Sequence, residues 1–356
     1  SEDLANKANV ALCLDVGGGT TDISLWFDNR IIADASVKLA GREIGEMLRR
    51  HFKILELLLS PDAVRALEGQ RGQPEPFAAR LNIALRKEDR QIQEMLIKHS
   101  NAREIQALKR LLVCEFGAIA FYAAQVIAAA DKKVPDGALL KRIESSGIGL
   151  HWGGNAAKFI NWIDFGHFDK AGIGPMILNA VMYIALQDAG VTVSGRRVAQ
   201  HQSPGHKSEA AGGLVVMDLE HESQSGDDMD FDMVSDRVSG PICGENIETT
   251  AGNVGYLDSL SEKDLFKAQK TTFVKTSLDR LKRFLEIVNY FGVQRGVFTN
   301  DSKISLDDNR AVQIADKVRE QFIVAQGKKE GHREIEPVFI MEVKVLLDKL
   351  KEELGR

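Results

Sequence analysis

The sequence predicts an α/β protein, and three observations predict it. Close to the N-terminus, apolar and polar residues alternate with a period of two over consecutive short segments, as strands do. Long stretches further on place apolar residues at helical spacing. Between them, Ser146 to His151 returns to a strand-like apolar run. The 356 residues are enough for two domains, and 44% hydrophobic with 27% charged content is ordinary for a globular chain. A net charge of −5 gives no reason to expect a nucleic-acid partner. The apolar run Phe116 to Ala130 is short and alanine-rich, so it reads as a buried helix rather than a membrane span. Cys13, Cys114 and Cys243 are far apart and lack metal-site spacing. That pattern suggests reduced thiols and a cytoplasmic location.

Each element can be justified in chain order. Val10 to Val16 is nearly all apolar and reads as a buried strand. Ile23, Leu25 and Phe27 alternate with Asp22, Ser24 and Trp26, giving a second strand with one face on a core. Asp28-Asn29 suits a tight turn, and Ile31 to Leu39 suits a third strand. Arg42 to about Leu59 has helical spacing. Residues 60 to 77 carry Gly69, Gly72, Pro74 and Pro76 and read as loop. Phe77 to about Ser100 and Ala102 to Ala130 read as helices, and Lys132 to Asp136 as a turn. Pro175 to Ala189 is a helix with Pro at its start and Gly190 after its end. Thr192 to Val198 suits a strand.

Residues 218 to 236 hold eight acids and no Lys or Arg, the mark of a solvated linker. Asp228, Asp230 and Asp232 have the spacing of a calcium loop, but its Gly and closing Glu are missing. Beyond the linker, Ser261 with Asp264 looks like a capping box for a helix running to about Tyr290. Ser305 to Gln326 and Pro337 to Leu354 follow as helices. These helices suit either a partner-binding appendage or a structural cap.

The run Gly17-Gly18-Gly19 sits between the first two strands, at the tip of a hairpin. Without Cβ atoms the tip can adopt positive φ, let another molecule approach, and present its N–H groups to an anion. Thr20 and Thr21 add hydroxyls. Asp15 and Asp22 flank the tip, which suits a phosphate only with a hydrated Mg²⁺ between them. A glycine-rich turn that binds nothing has the same local pattern. Gly153-Gly154-Asn155 stands where a strand meets a helix, a place where a ribose or flat ring can lie on backbone. There is no P-loop motif, and Gly147-Ile-Gly149 lacks the third Rossmann glycine. His201 and His206 have no zinc spacing.

Asp-Val-Gly-Gly-Gly-Thr-Thr-Asp (15 to 22) resembles the second phosphate motif of the actin, Hsp70 and sugar-kinase superfamily. "KLAGREIGEMLRRHF" (38 to 52) resembles the segment that follows it in actin and Hsp70. "SSGIGLHWGGNAAKFINWI" (145 to 163) resembles the adenosine motif, and "SPGHKSEAAGGLVV" (203 to 216) the small-residue helix closing that lobe. The ordered set covers about residues 9 to 216.

The resemblance implies a ribonuclease H-like lobe of an actin- or Hsp70-like ATPase, a mixed sheet with helices on both faces. Residues 1 to 216 would form it, with a subdomain inserted at about 53 to 115. An acidic linker (217 to 236) and a mainly helical region (237 to 356) would follow. The cofactors implied are ATP and Mg. Gly17, Gly18, Gly19, Thr20 and Thr21 would bind phosphate. Asp15 and Asp22 would be the catalytic pair, acting on the metal's water shell. Gly41, Gly153, Gly154, Asn155 and Lys158 would lie near the nucleoside. The superfamily's first phosphate motif has no counterpart here, so the expectation is the C-terminal part of a longer polypeptide, nearly inactive alone, whose partner is its own N-terminal lobe. The implied function couples nucleotide state to conformational change, as in chaperones, cell-division proteins and filaments. A small-molecule kinase and a non-catalytic adaptor are the alternatives.

Overall fold

The computed structural model describes residues 10–28, 30–131, 134, 137–163, 176–191, 198–202, 246–248, 253–255, 273–297, 299–326 and 337–354. Strands β1 (Val10–Val16), β2 (Thr21–Phe27) and β3 (Arg30–Val37) form an antiparallel meander. Asp28 turns β2 into β3 with φ 46°, a conformation its short polar side chain tolerates. β4 (Ile148–Gly153) lies parallel to β1, and β5 (Val198–Gln202) lies parallel to β4. The result is a five-stranded mixed sheet of order β3-β2-β1-β4-β5. The protein is therefore α/β.

Side-chain alternation decides what each strand buries. Val10, Leu12, Leu14 and Val16 are buried, while Ala11, Cys13 and Asp15 on the opposite face are less so. Leu12 pairs with Leu25 and Leu14 with Ile23, so the apolar face continues onto β2. The opposite face carries Asp15 directly across from Asp22.

Parallel strands need long crossovers. The one from β1 to β4 contains the rest of the meander and seven helices: α1 (Arg42–Arg50), α2 (Lys53–Leu58), α3 (Pro61–Glu68), α4 (Pro74–Lys87), α5 (Asp89–Lys98), α6 (Arg103–Asp131) and α7 (Ala138–Ser146). A 3-10 turn (Ala157–Trp162) and α8 (Met176–Asp188) lie between β4 and β5. A two-stranded ribbon, β6 (Asn246–Glu248) and β7 (Asn253–Gly255), precedes α9 (Phe273–Gln294), α10 (Asp308–Gln326) and α11 (Val338–Leu354).

The 29-residue α6 is apolar nearly all round, which a helix tolerates only when enclosed. It packs against β2 and β3 and also against α8, α9 and α11. Its length and composition would also pass for a membrane span, but most of its apolar stretch is buried by this fold. Phe121 of α6, Phe284 of α9 and Phe339 of α11 meet with ring centroids 5.7, 5.0 and 5.6 Å apart, tying the C-terminal helices into the core.

Several expectations change. The helix expected over Arg42 to Leu59 is two helices broken at His51-Phe52. Residues 60 to 77 are mostly helical, with a turn only over 69 to 73. Ser60 caps α3 by accepting from the Ala63 N–H, Pro61 occupies its first turn, and Pro74 opens α4. Both prolines stand where a helix leaves N–H groups unpaired anyway. α7 ends at Ser146, so the following strand starts at Ile148, and the Gly-Gly pair leads into a 3-10 turn rather than an α-helix. The described part of the fifth strand is Val198–Gln202, while residues 192 to 197 lie outside the described residues. So do the small-residue segment 203 to 216, the acidic stretch 218 to 236, and Ser261 with Asp264.

Candidate functional site

The turn between β1 and β2 is closed by Gly17 N–H donating to Thr20 C=O at 2.9 Å. Gly17, Gly18 and Gly19 all have negative φ, so the expected positive-φ nest is not formed. What matters at these positions is the missing side chain. A Cβ at Gly17 would press to 3.1 Å from the Thr20 carbonyl, while one at Gly18 would meet nothing within 4 Å. Gly18, Gly19 and Thr20 are exposed. Thr21 is fully buried, and its hydroxyl donates to the Leu39 carbonyl at 2.6 Å. It anchors the tip to the end of the meander and does not share the exposed side with Thr20.

Two distant segments hold this tip. The N–H groups of Gly41 and Arg42, opening α1, donate to the carbonyls of Gly17 (3.2 Å) and Gly18 (2.7 Å). The Ala156 N–H donates to Val16 C=O at 3.0 Å. Gly154 has φ 86°, and its backbone is so close to the tip that a Cβ would stand 2.3 Å from Asp15 Oδ1 and 2.4 Å from the Val16 carbonyl. A Cβ on Gly41 would collide with that of Ala156 at 2.4 Å. The fold thus brings Gly17–Thr20, Gly41 and Gly153–Asn155 to one junction at the C-terminal ends of β1 and β4, the end of an α/β sheet where ligands bind.

Asp15 and Asp22 face each other across β1 and β2, and like charges in that position repel. Ser36, Asp22's register neighbour on β3, donates its hydroxyl to Asp22 Oδ1 at 2.6 Å. A hydrated divalent cation beside the pair would relieve the repulsion, so the two carboxylates fit Mg²⁺ held through water. Among the described residues no cluster of three or more His, Cys, Asp or Glu is assembled to ligate a metal directly.

The nucleoside-side residues meet an element the sequence did not implicate. Asn155 Oδ1 accepts from Arg86 Nη2 at 3.0 Å, and Lys158 Nζ donates to Asn82 Oδ1 at 2.7 Å. Asn82 and Arg86 belong to α4, so the helical insertion reaches across the turn after β4. Burial, and then the positive charge of Arg86, push the Lys158 ammonium down to about 8. Arg42, which the sequence reading did not place among the site residues, has its guanidinium over the tip: a Cβ on Gly19 would lie 3.7 Å from Nη2. Its position directly after Gly41 was the available signal. For Arg86 and Asn82, 69 and 76 residues from their partners, the sequence held no signal.

The chain matches no protein-family model, and none of the curated proteins matches it.

Proposed function

We propose that this chain is the ATP-binding lobe of an actin- or Hsp70-like ATPase, with the phosphates over Gly17–Thr20 and the nucleoside toward Gly153–Asn155. One observation carries the reading: two separate segments lock an exposed glycine tip in place, and Gly18, at its centre, has open space where a side chain would project. Neither its φ nor crowding requires glycine at Gly18, so the chain reversal alone does not account for it. The sheet order supports the same reading, because a ribonuclease H-like lobe requires an antiparallel meander followed by parallel strands.

In this proposal the exposed tip positions the β- and γ-phosphates, and Thr20 adds a hydroxyl. Mg²⁺, when bound, would neutralise phosphate charge. Asp15 and Asp22 would hold its water shell and orient the attacking water. A second lobe, from the same polypeptide, would complete the cleft, and closure on ATP would be the output. The C-terminal helices remain a proposed partner surface on the side away from α6.

The test is Gly18→Val. The site is open, so the variant should keep the wild-type melting temperature, while Mg-ATP affinity falls by about 10-fold or more as the branched side chain displaces phosphate. Titration with a fluorescent ATP analogue reads the affinity, and circular dichroism reads the fold. Equal affinity in a folded Gly18→Val protein refutes the phosphate assignment. Absence of ATP binding at millimolar nucleotide puts the adaptor alternative first.

A further inference from the structure

Most cations of α1, α2 and α3, and Lys351 of α11, are paired. Arg49 and Arg50 pair with Glu46, Lys351 with Glu43, Lys53 with Glu104, and Arg65 with Asp62. Arg42 is exposed, and among the described residues neither an ion pair nor a side-chain hydrogen bond engages its guanidinium. It is nevertheless held at the tip. Its own N–H donates to Gly18 C=O at 2.7 Å, and Nη2 and Cζ come within 3.7 and 3.9 Å of where a Gly19 Cβ would be. Those distances are ordinary van der Waals contact, so the guanidinium lies alongside the tip at Gly19.

We infer that Arg42 is an oligophosphate-binding residue: its guanidinium and the exposed backbone of Gly18, Gly19 and Thr20 grip the terminal phosphates of the ligand. The inference rests on the phosphate assignment to this tip and adds to it the group that supplies positive charge. A planar fork can donate two parallel hydrogen bonds to two phosphate oxygens, which a lysine ammonium cannot reproduce. Asp15 and Asp22 repel a bare anion at the same tip. A guanidinium at the tip offsets that repulsion and favours the ligand with more terminal charge. The geometry therefore selects for triphosphate over monophosphate.

Calorimetric titration of the chain and of Arg42→Ala, Arg42→Lys and Arg65→Ala tests this, with Mg-ATP, AMP and inorganic tripolyphosphate as probes. Arg42→Ala should weaken ATP and tripolyphosphate by about 10- to 100-fold, the usual loss for a charged hydrogen bond. It should leave AMP unchanged. Arg42→Lys should recover only part, and Arg65→Ala should match wild type. Wild-type ATP affinity in Arg42→Ala overturns the inference and leaves the nucleotide assignment standing. Tripolyphosphate binding that depends on Arg42, without ATP binding, supports the anion site and overturns the nucleotide reading. If the wild type binds neither probe at millimolar concentration, both fall.

Discussion

Gly154 is the residue on which the site most depends. Any other residue there meets positive φ, the Asp15 carboxylate and the Val16 carbonyl at once. Gly154→Ala should cost about 2 to 5 kcal/mol, backbone strain and overpacking combined, read by urea denaturation. A loss within about 0.5 kcal/mol would show that the turn relaxes freely and that its contact with Asp15 is incidental. The contrast with Gly18 is informative. Both are glycines in the same junction, yet one lacks a side chain because protein fills the space and the other has open space beside it.

Among the elements, α1 links the tip to the C-terminus of the chain. Its first turn bonds to Gly17 and Gly18, and Glu43 in that turn pairs with Lys351 of α11, which also bonds Asp348 at 3.2 Å. Glu115 of α6 lies nearby, fully buried. Burial, and then the charge of Glu43, push its carboxyl well above the usual 4.5, while Lys351 opposes the rise. Lys351→Met leaves two acids without their cation. The expected cost at neutral pH is about 2 kcal/mol, less than for a fully enclosed pair because Glu43 is partly exposed. A carboxyl whose folded pKa is raised binds more protons folded than unfolded, so its stability contribution is lost as pH rises above about 4.5. The Lys351→Met deficit should therefore grow from pH 4 to pH 7 (about three units above acid conditions) in denaturation curves. A deficit independent of pH would mean that Lys351 contributes through packing alone.

On the scale of the whole molecule, α6 is the axis on which the sheet and the C-terminal helices are both built. Cys114 lies in its buried centre, and burial pushes its thiol up to about 12. Cys13, on the sheet, is pushed up to about 11 by the same cause. Neither forms a thiolate readily at pH 8, so alkylation of the native protein should be slow. Cys114 should react only when the core opens, at a rate that follows global unfolding across a denaturant series. Fast modification of Cys114 under native conditions, seen by peptide mass spectrometry, would mean that α9 and α11 lift from α6 as a separate unit. Their aromatic contacts with Phe121 instead hold α9 and α11 against α6 in the folded state.

Local chemistry determined much of this. Period-two alternation specified the meander and the face each strand buries. The glycine run specified the tip, and Gly41 and Gly153-Gly154 marked the other two segments, because each is a short-range backbone requirement written at its own position. Proline was legible too, but ambiguous: Pro61 and Pro74 suit a loop or a helix's first turn equally well, and only packing selects the helix. The break at His51-Phe52 has no local signal. It depends on Arg71, whose side chain donates to the carbonyls of Arg49 (3.1 Å) and Arg50 (2.8 Å) and lies over the Phe52 ring. Long-range pairing likewise decided that α4 reaches Asn155 and Lys158, that Thr21 is committed to Leu39, and that Arg42 stands over the glycines. Backbone preferences act between neighbours in the chain, whereas a side chain's partner is fixed by which surfaces burial brings together, and that is settled only when the whole core has formed.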